Sequence, residues 1–434
     1  MAVRTTSRRR QFRMPISFPK SLTRDILRGM PRRLIGAYVI LAATLFGSSS
    51  LIAQQPTTPP GATTQAPAAG RGGGRGAAVK SPEIGADGRV TFRLRAPNAK
   101  EVAVALAGSR LAMQKDEQGV WSVTSDVLAP NYYAYSLVID GTTINDPGNR
   151  QVETSFGSFR SMFAVPGPEP WLPAPGVPRG AITRHTFEST TANDVRDFFV
   201  YTPPGYDAHR SRPYPTLYLL HGLGDDAERW MNGGAAPVIL DNLIAQQKAV
   251  PMVVVTTLGY GVNNGPAGAM APESITGYTK ILLTEVMPAV ERSYHVAKGR
   301  EERGIAGLSM GGAEALFTAL NHLDKFAWIG SFSGAFVMWP GAGGRGAPPA
   351  AVTEAFAKAF PALDAKANAS IRMLWLTCGT ADSLIGVNRQ FKDWLKTKNI
   401  RFTEEEAPDI GHVWPYWRRN FTEFAQKAFQ PVRK

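Results

Sequence analysis

The run GLSMGG, Gly307 to Gly312, constrains this chain more than any other feature, because it fits the sharp turn that lifts a serine to the end of a strand. The apolar run RGIAGL before it reads as a strand, and AEALFTALNHL after it spaces apolar residues at helical intervals. Ser309 therefore falls where strand gives way to helix. Such a turn strains its central residue and requires tiny residues two before and two after it, as Gly307 and Gly311 are. An ordinary glycine-rich turn would explain the glycines but not the change of periodicity around them.

A serine hydroxyl near neutral pH needs a base, and the base needs an orienting acid. RMLWLTCGTADSLIG is a strand-like run entering a loop, and it places Asp382 just past the strand end. Of six histidines only His412 follows, after the alternating stretch RFTEEEAP and before an amphipathic helix expected from about Pro415 to Phe429. The order Ser309, Asp382, His412 is nucleophile, acid, base, each at the C-terminal end of an expected strand. Asp409, three residues before His412, is the competing acid, but a carboxylate on the same short loop would have to bend back to reach the imidazole.

Acyl transfer also needs donors aimed at the developing oxyanion. Met310, directly after the serine, supplies one backbone amide. Leu223 supplies the other, in the glycine-containing loop that follows the buried-looking strand of YPTLYLLHGLGDD. His221 then reads as an imidazole bonding the loop backbone, since it precedes the serine. The carboxylates of HGLGDD read as caps of the following segment rather than metal ligands, and no His, Cys or carboxylate spacing asks for a metal or other cofactor.

The stretch from about residue 183 to 430 resembles the feruloyl esterase modules of bacterial xylanases, within the esterase D and carbohydrate esterase family 1 group of α/β-hydrolases. The matching phrases are LYLLHGLGDDAERW, PVILDNLIAQQKAVPMVVVT, GIAGLSMGGAEAL, CGTADSLIG and the GH of GHVW. The resemblance implies a catalytic serine at Ser309, an acid at Asp382, a base at His412, and oxyanion amides at Leu223 and Met310. The group also holds acetyl xylan esterases, siderophore esterases, thioester hydrolases and mycolyltransferases, so it fixes the chemistry more closely than the substrate.

At 434 residues the chain exceeds one catalytic unit, and composition divides it. Residues 1–33 hold nine Arg and one Lys against one Asp, which accounts for most of the net +13 and leaves little reason to expect a nucleic-acid partner. Leu34 to Phe46 is an apolar run of signal-peptide length, with cleavage expected after Ala53 and export as the outcome. The basic arm is long for a signal, so a start at Met14 or Met30, or an uncleaved membrane anchor, are the alternatives. Residues 54–79, rich in Pro, Gly, Ala and Thr, cannot bury a core and read as a spacer.

From Ser81 to Val165 the pattern becomes short alternating strands, VTFRLRAP, EVAVAL, GVWSVTS and YYAYSLVIDGTTIND, which predict an all-β sandwich over residues 80–165. Asp140-Gly141 marks a tight hairpin. This region resembles the immunoglobulin-like early-set domain, related to glycogen-binding modules, that often precedes such esterases. Trp121 reads as core rather than a sugar platform, and the domain's default role is packing against its neighbour and shaping the cleft. A semi-rigid Pro-rich linker, residues 166–182, leads to an α/β-hydrolase domain over 183–434, opened by two polar-alternating strands with an Asn-Asp turn. Continuous apolar strands separated by helical segments predict a parallel sheet covered on both faces. The single cysteine, Cys378, excludes an intrachain disulfide and reads as core.

Substrate selection falls to the Gly- and Pro-rich segments GYGVNNGPAGAMAPES and GAFVMWPGAGGRGAPPAA, and Trp230, Met231, Trp339, Trp414 and Trp417 are candidates to hold an aromatic acyl group or a sugar face. The expectation is an exported serine esterase acting on ester decorations of polysaccharides. A siderophore esterase is the alternative and would need a basic pocket, for which the variable loops offer Arg345. A scaffold carrying a dead hydrolase domain is argued against by the intact nucleophile, acid and base.

Overall fold

The computed structural model describes residues 79–430 apart from 264, 270 and 345–347. The basic arm, the apolar run, all but the end of the spacer, and Arg345 lie outside the described residues. Ten strands come first: β1 (Glu83–Ile84), β2 (Val90–Arg95), β3 (Val102–Leu106), β4 (Ser109–Ala112), β5 (Gln114–Lys115), β6 (Val120–Thr124), β7 (Asn131–Ile139), β8 (Thr142–Ile144), β9 (Val152–Ser155) and β10 (Ser158–Val165). They form two sheets, ordered β1-β2-β6-β5 and β4-β3-β7-β10-β9, with β8 paired to β7. Alternation along β2 turns Val90, Phe92 and Leu94 inward, where they share one core with Val104, Leu137 and Phe163 of the second sheet. Trp121 belongs to that core and donates its indole N–H to the Ala96 carbonyl at 2.9 Å. The β7–β8 hairpin turns on Asp140 and Gly141, with φ of 47° and 84°, as a tight turn of this type demands.

The eight strands that follow make a second sheet system: β11 (Ala181–Ser189), β12 (Asp194–Thr202), β13 (Thr216–Leu220), β14 (Val253–Thr257), β15 (Arg303–Leu308), β16 (Trp328–Phe332), β17 (Met373–Gly379) and β18 (Thr403–Ala407). Their order is β11-β12-β14-β13-β15-β16-β17-β18. The pairs from β14 to β18 are parallel, while β11 and β12 are antiparallel. Among the described residues seven α-helices lie between these strands or follow them: α1 (Ala236–Ala245), α2 (Pro272–Ile281), α3 (Met287–Ser293), α4 (Met310–Asn321), α5 (Pro349–Ala359), α6 (Ile385–Thr397) and α7 (Trp414–Lys427).

The inner strands are apolar throughout because each face meets a different helical layer. Leu217 and Leu219 of β13 face α1 and α7, whereas Tyr218 and Leu220 face the layer that holds α2, α4, α5 and α6. Cys378 is buried at the end of β17, and burial pushes its thiol up to about 12, so it is an inert filler of the core. The Pro-rich stretch before β11 is pinned to α1: the Asn242 amide donates to the Pro170 and Leu172 carbonyls, each at 2.8 Å, and Asp241 accepts the Gly180 N–H at 2.9 Å.

Candidate active site

Ser309 stands between β15 and α4 with φ 52° and ψ −116°, a conformation that costs on the order of 1–3 kcal/mol for a residue with a side chain. Its backbone is held from the neighbouring strand: its N–H donates to Phe332 O at 2.9 Å, and its carbonyl accepts from Ala335 N at 2.9 Å. The flanking glycines have no room for a side chain. A Cβ on Gly307 would lie 2.5 Å from the Gly311 backbone, and one on Gly311 would lie 2.5 Å from the His221 carbonyl oxygen. The sequence pattern around the serine is thus a packing requirement.

His412 Nε2 lies 3.0 Å from Ser309 Oγ, and its Nδ1 lies 2.7 Å from Asp382 Oδ2. A carboxylate only accepts, so Nδ1 carries the proton and Nε2 accepts from the hydroxyl. The loops bearing acid and base are laced together: Thr380 N donates to Ala407 O at 2.9 Å, Ala381 N to Ile410 O at 3.0 Å, and Asp409 N to Thr380 Oγ1 at 2.9 Å. Gly379 permits this approach, since a Cβ there would sit 2.0 Å from the Ile410 carbonyl oxygen. Asp382 is buried, which by itself raises a carboxyl pKa, but the hydrogen bonds from His412 and from Leu384 N–H outweigh burial and hold it below its ordinary value. Asp409 is exposed on the same loop as His412 and makes no hydrogen bond to it. Trp417 meets the His412 ring edge to face at 4.7 Å and limits its rotation.

The loop after β13 approaches the serine from the other side, with the site of a Gly222 Cβ 3.5 Å from Ser309 Cβ. His221 Nδ1 bonds the Gly222 carbonyl at 2.8 Å while its Nε2 accepts Gly259 N–H at 2.9 Å. Burial pushes this imidazole down to about 4, so it is a neutral brace and not a base. The Tyr260 hydroxyl accepts Gly224 N–H at 2.9 Å and donates to Asp225 O at 2.7 Å. Gly222 O also accepts Asp225 N–H at 3.1 Å, and because a trans peptide sets N–H opposite to C=O, the Leu223 N–H is turned away from these braces. Met310 N–H opens α4 and has no acceptor within the helix. Asp226 caps the turn that follows by accepting Glu228 N–H at 3.0 Å, but it caps no helix, since α1 begins only at Ala236.

Ser309 and His412 open into a cleft of about 420 Å³ whose apolar wall is Leu223, Val413, Trp414 and Trp417. Ser155 and Arg160 also line it, and both belong to the β9–β10 hairpin of the sandwich. Another cavity of about 270 Å³, beside Pro213, Pro251 and Trp328, lies at the opposite, N-terminal ends of the strands. Open sheets of this kind bind ligands at the C-terminal ends, which favours the serine cleft.

The expected substrate contacts divide here. Trp414 and Trp417 reach the cleft. Trp230, Met231 and Trp339 do not. Trp230 and Trp339 are buried and their indole N–H groups are taken by the carbonyls of Leu220 and Ala313, so both are core residues, and Met231 packs in the core beside Trp230. Sequence reasoning missed Ser155 and Arg160, because nothing local marks a hairpin that docks on a loop some 70 residues away. Burial of Glu314 in α4 raises its carboxyl well above its ordinary value.

A model of the Esterase family matches residues 189–427. The endo-1,4-beta-xylanase/feruloyl esterase of Xylanibacter ruminicola is 30% identical over 361 residues, which are 80% of this chain and 46% of that protein. This chain therefore spans under half of that relative. The acetyl esterase of Caldicellulosiruptor saccharolyticus is 26% identical over 241 residues, 50% of this chain and 83% of that protein. Among solved structures, the ferulic acid esterase of Anaeromyces mucronatus aligns with TM-score 0.51 at 23% identity, covering 61% of this chain and 96% of its own. The enterochelin esterase of Shigella flexneri aligns with TM-score 0.56 at 19% identity, covering 81% and 96%. At these identities the structural likeness is one of fold, the α/β-hydrolase fold.

Proposed function

The chain belongs to the Esterase family, and we propose from that premise that it is a serine carboxylesterase working through an acyl-enzyme. Ser309 Oγ attacks the ester carbonyl as His412 Nε2 takes its proton, and Asp382 holds the imidazole in the correct tautomer and stabilises its charged form. The carbonyl oxygen becomes an oxyanion between the N–H groups of Leu223 and Met310. Collapse expels the alcohol with the proton from His412, and a water activated by the same imidazole then releases the acid. The observation that carries this reading is the relay from Ser309 through His412 to Asp382, at 3.0 and 2.7 Å, at the floor of a cleft.

The substrate is an ester decoration of a polysaccharide, with a flat aromatic acyl group favoured over acetyl. The aromatic wall of Trp414 and Trp417 and a cleft of about 420 Å³ support this reading, as does the relative named for xylanase and feruloyl esterase activities. A catecholate siderophore would ask for unmatched positive charge. Among the described residues the two arginines at the cleft instead share a buried carboxylate, Glu153, and Arg229 has Asp225 beside it as well. A hydrolysis panel of methyl ferulate, acetylated xylan and a catecholate siderophore should rank methyl ferulate first. Ser309→Ala should abolish turnover with an almost unchanged thermal midpoint, and turnover comparable to wild type in that variant would overturn the serine mechanism.

The protein is exported, a reading supported by the basic arm and the apolar run Leu34 to Phe46. Mature protein recovered outside the cytoplasm should begin near Gln54; an intact N-terminus in the soluble cytoplasmic fraction would refute export with cleavage.

A further inference from the structure

The serine-esterase reading makes the loop Gly222–Asp225 an oxyanion loop, and resting on that reading, we propose that the β9–β10 hairpin of the sandwich is its outer strut, a positioning element acting through the Phe156 backbone N–H. The loop's internal braces all come from the sheet domain: His221 and Asp225 N–H hold Gly222 O, and the Tyr260 hydroxyl holds Gly224 N and Asp225 O. The Gly224 carbonyl is different. It accepts Phe156 N–H, from the other domain, at 2.9 Å.

Gly224 is the tip of the loop and has φ 88°, so it has neither a side chain nor a conformational preference to keep it in place. The Phe156 ring reinforces the contact, meeting Tyr260 edge to face at 5.3 Å, and Tyr260 is the side chain that braces the same tip from within. The hairpin is itself fixed to the segment just beyond the loop: Thr154 Oγ1 donates to Asp226 Oδ1 at 2.9 Å and accepts from the Asn232 amide at 3.0 Å. Ser155 and Arg160, on either side of the hairpin turn, face the cleft, so the strut stands at the site and not behind it. An oxyanion donor works only if it is in place before charge develops, and the hairpin supplies that pre-organisation.

The test separates the N–H from the ring. Phe156 precedes Gly157, which has φ 74°, and so occupies the first of two turn positions, where proline is accepted when glycine follows. Phe156→Pro deletes the donor and the ring; Phe156→Ala deletes only the ring. We expect Phe156→Pro to lower kcat about tenfold at unchanged KM, a fraction of the loss from deleting an oxyanion donor outright. It should weaken an arylboronic acid, whose tetrahedral serine adduct presents an oxyanion, by about the same factor while leaving the affinity for the product acid unchanged. Phe156→Ala should stay close to wild type in kcat, changed by less than about 1.5-fold, its N–H being retained.

Wild-type kcat in Phe156→Pro, or equal weakening of the boronic acid and the product acid, would overturn the proposal. Should Phe156→Pro fail to fold, Thr154→Val decides with the same measurements: a parallel loss of about threefold in kcat and boronic acid affinity supports the strut, and unchanged kinetics sinks it. Ser309→Ala distinguishes the two layers of argument. If it keeps turnover, the esterase reading itself fails; if it is inactive while the hairpin variants behave as wild type, only the strut falls.

Discussion

At Asp382 burial and hydrogen bonding pull in opposite directions, and the bonds from His412 and Leu384 N–H prevail, so the ionised carboxylate is favoured. Replacing it by Asn keeps the volume but favours the wrong imidazole tautomer, and turnover should fall by about 10⁴ if it follows the serine protease precedent. Asp409→Asn should cost far less, because its carboxylate is exposed and makes no bond to His412. Kinetics on a soluble aryl ester check the ranking, and a reversed order would move the acid role to Asp409. The convergence of Ser309, Asp382 and His412 was legible because each lies where a strand pattern ends, and strand ends converge in a parallel sheet. Trp230 and Trp339 were not, because a tryptophan near a glycine-rich loop looks the same whether its N–H meets a ligand or, as here, a backbone carbonyl.

Among the elements, the two loops that carry acid and base behave as one unit, and Gly379 is the residue on which they close. Gly379→Ala would put a methyl group 2.0 Å from the Ile410 carbonyl oxygen, and backbone must move to make room. We expect a loss of about 1–3 kcal/mol in stability from the overpacking. A displacement of His412 by about 1 Å would add a fall near 10² in kcat. Thermal melts and steady-state kinetics on the same preparation check this, and a variant with wild-type values in both would show that the loops do not depend on their close approach. The continuous apolar runs predicted the parallel strands correctly because both faces are covered, as Leu217 and Tyr218 show by packing into opposite layers. The docking of the Pro-rich linker on Asp241 and Asn242 left no trace in the sequence, since polar residues within a helix more often face solvent.

In the whole molecule the sandwich and the sheet domain are joined by buried charge as well as by the hairpin, and this long-range pairing was out of reach of any local pattern. Glu153 of β9 is buried and bonds both Arg160 and, at 2.8 Å, Arg229 of the sheet domain. Arg229 is buried too, stacked over Trp414 at 4.8 Å, and its other carboxylate, Asp225, lies 3.3 Å away without the alignment of a hydrogen bond. Burial also pushes Asp225 up to about 6, so this second partner is only part ionised in mildly acidic solution. Glu153→Gln keeps the shape of the side chain but strands most of the Arg229 charge, and breaking a buried pair in this way costs about 3 kcal/mol. For a protein of this size that is a fall of roughly 4 °C in the thermal midpoint. Asp126→Asn is the matched control, since that carboxylate is fully exposed and 3.9 Å from Arg89, and it should leave the midpoint where it is. If the two substitutions melt alike, the ion pairs between the domains contribute no more than surface pairs, and the coupling of sandwich to cleft rests on the other bonds across it, those of Thr154 and Phe156 and that of Arg418 to Asn131.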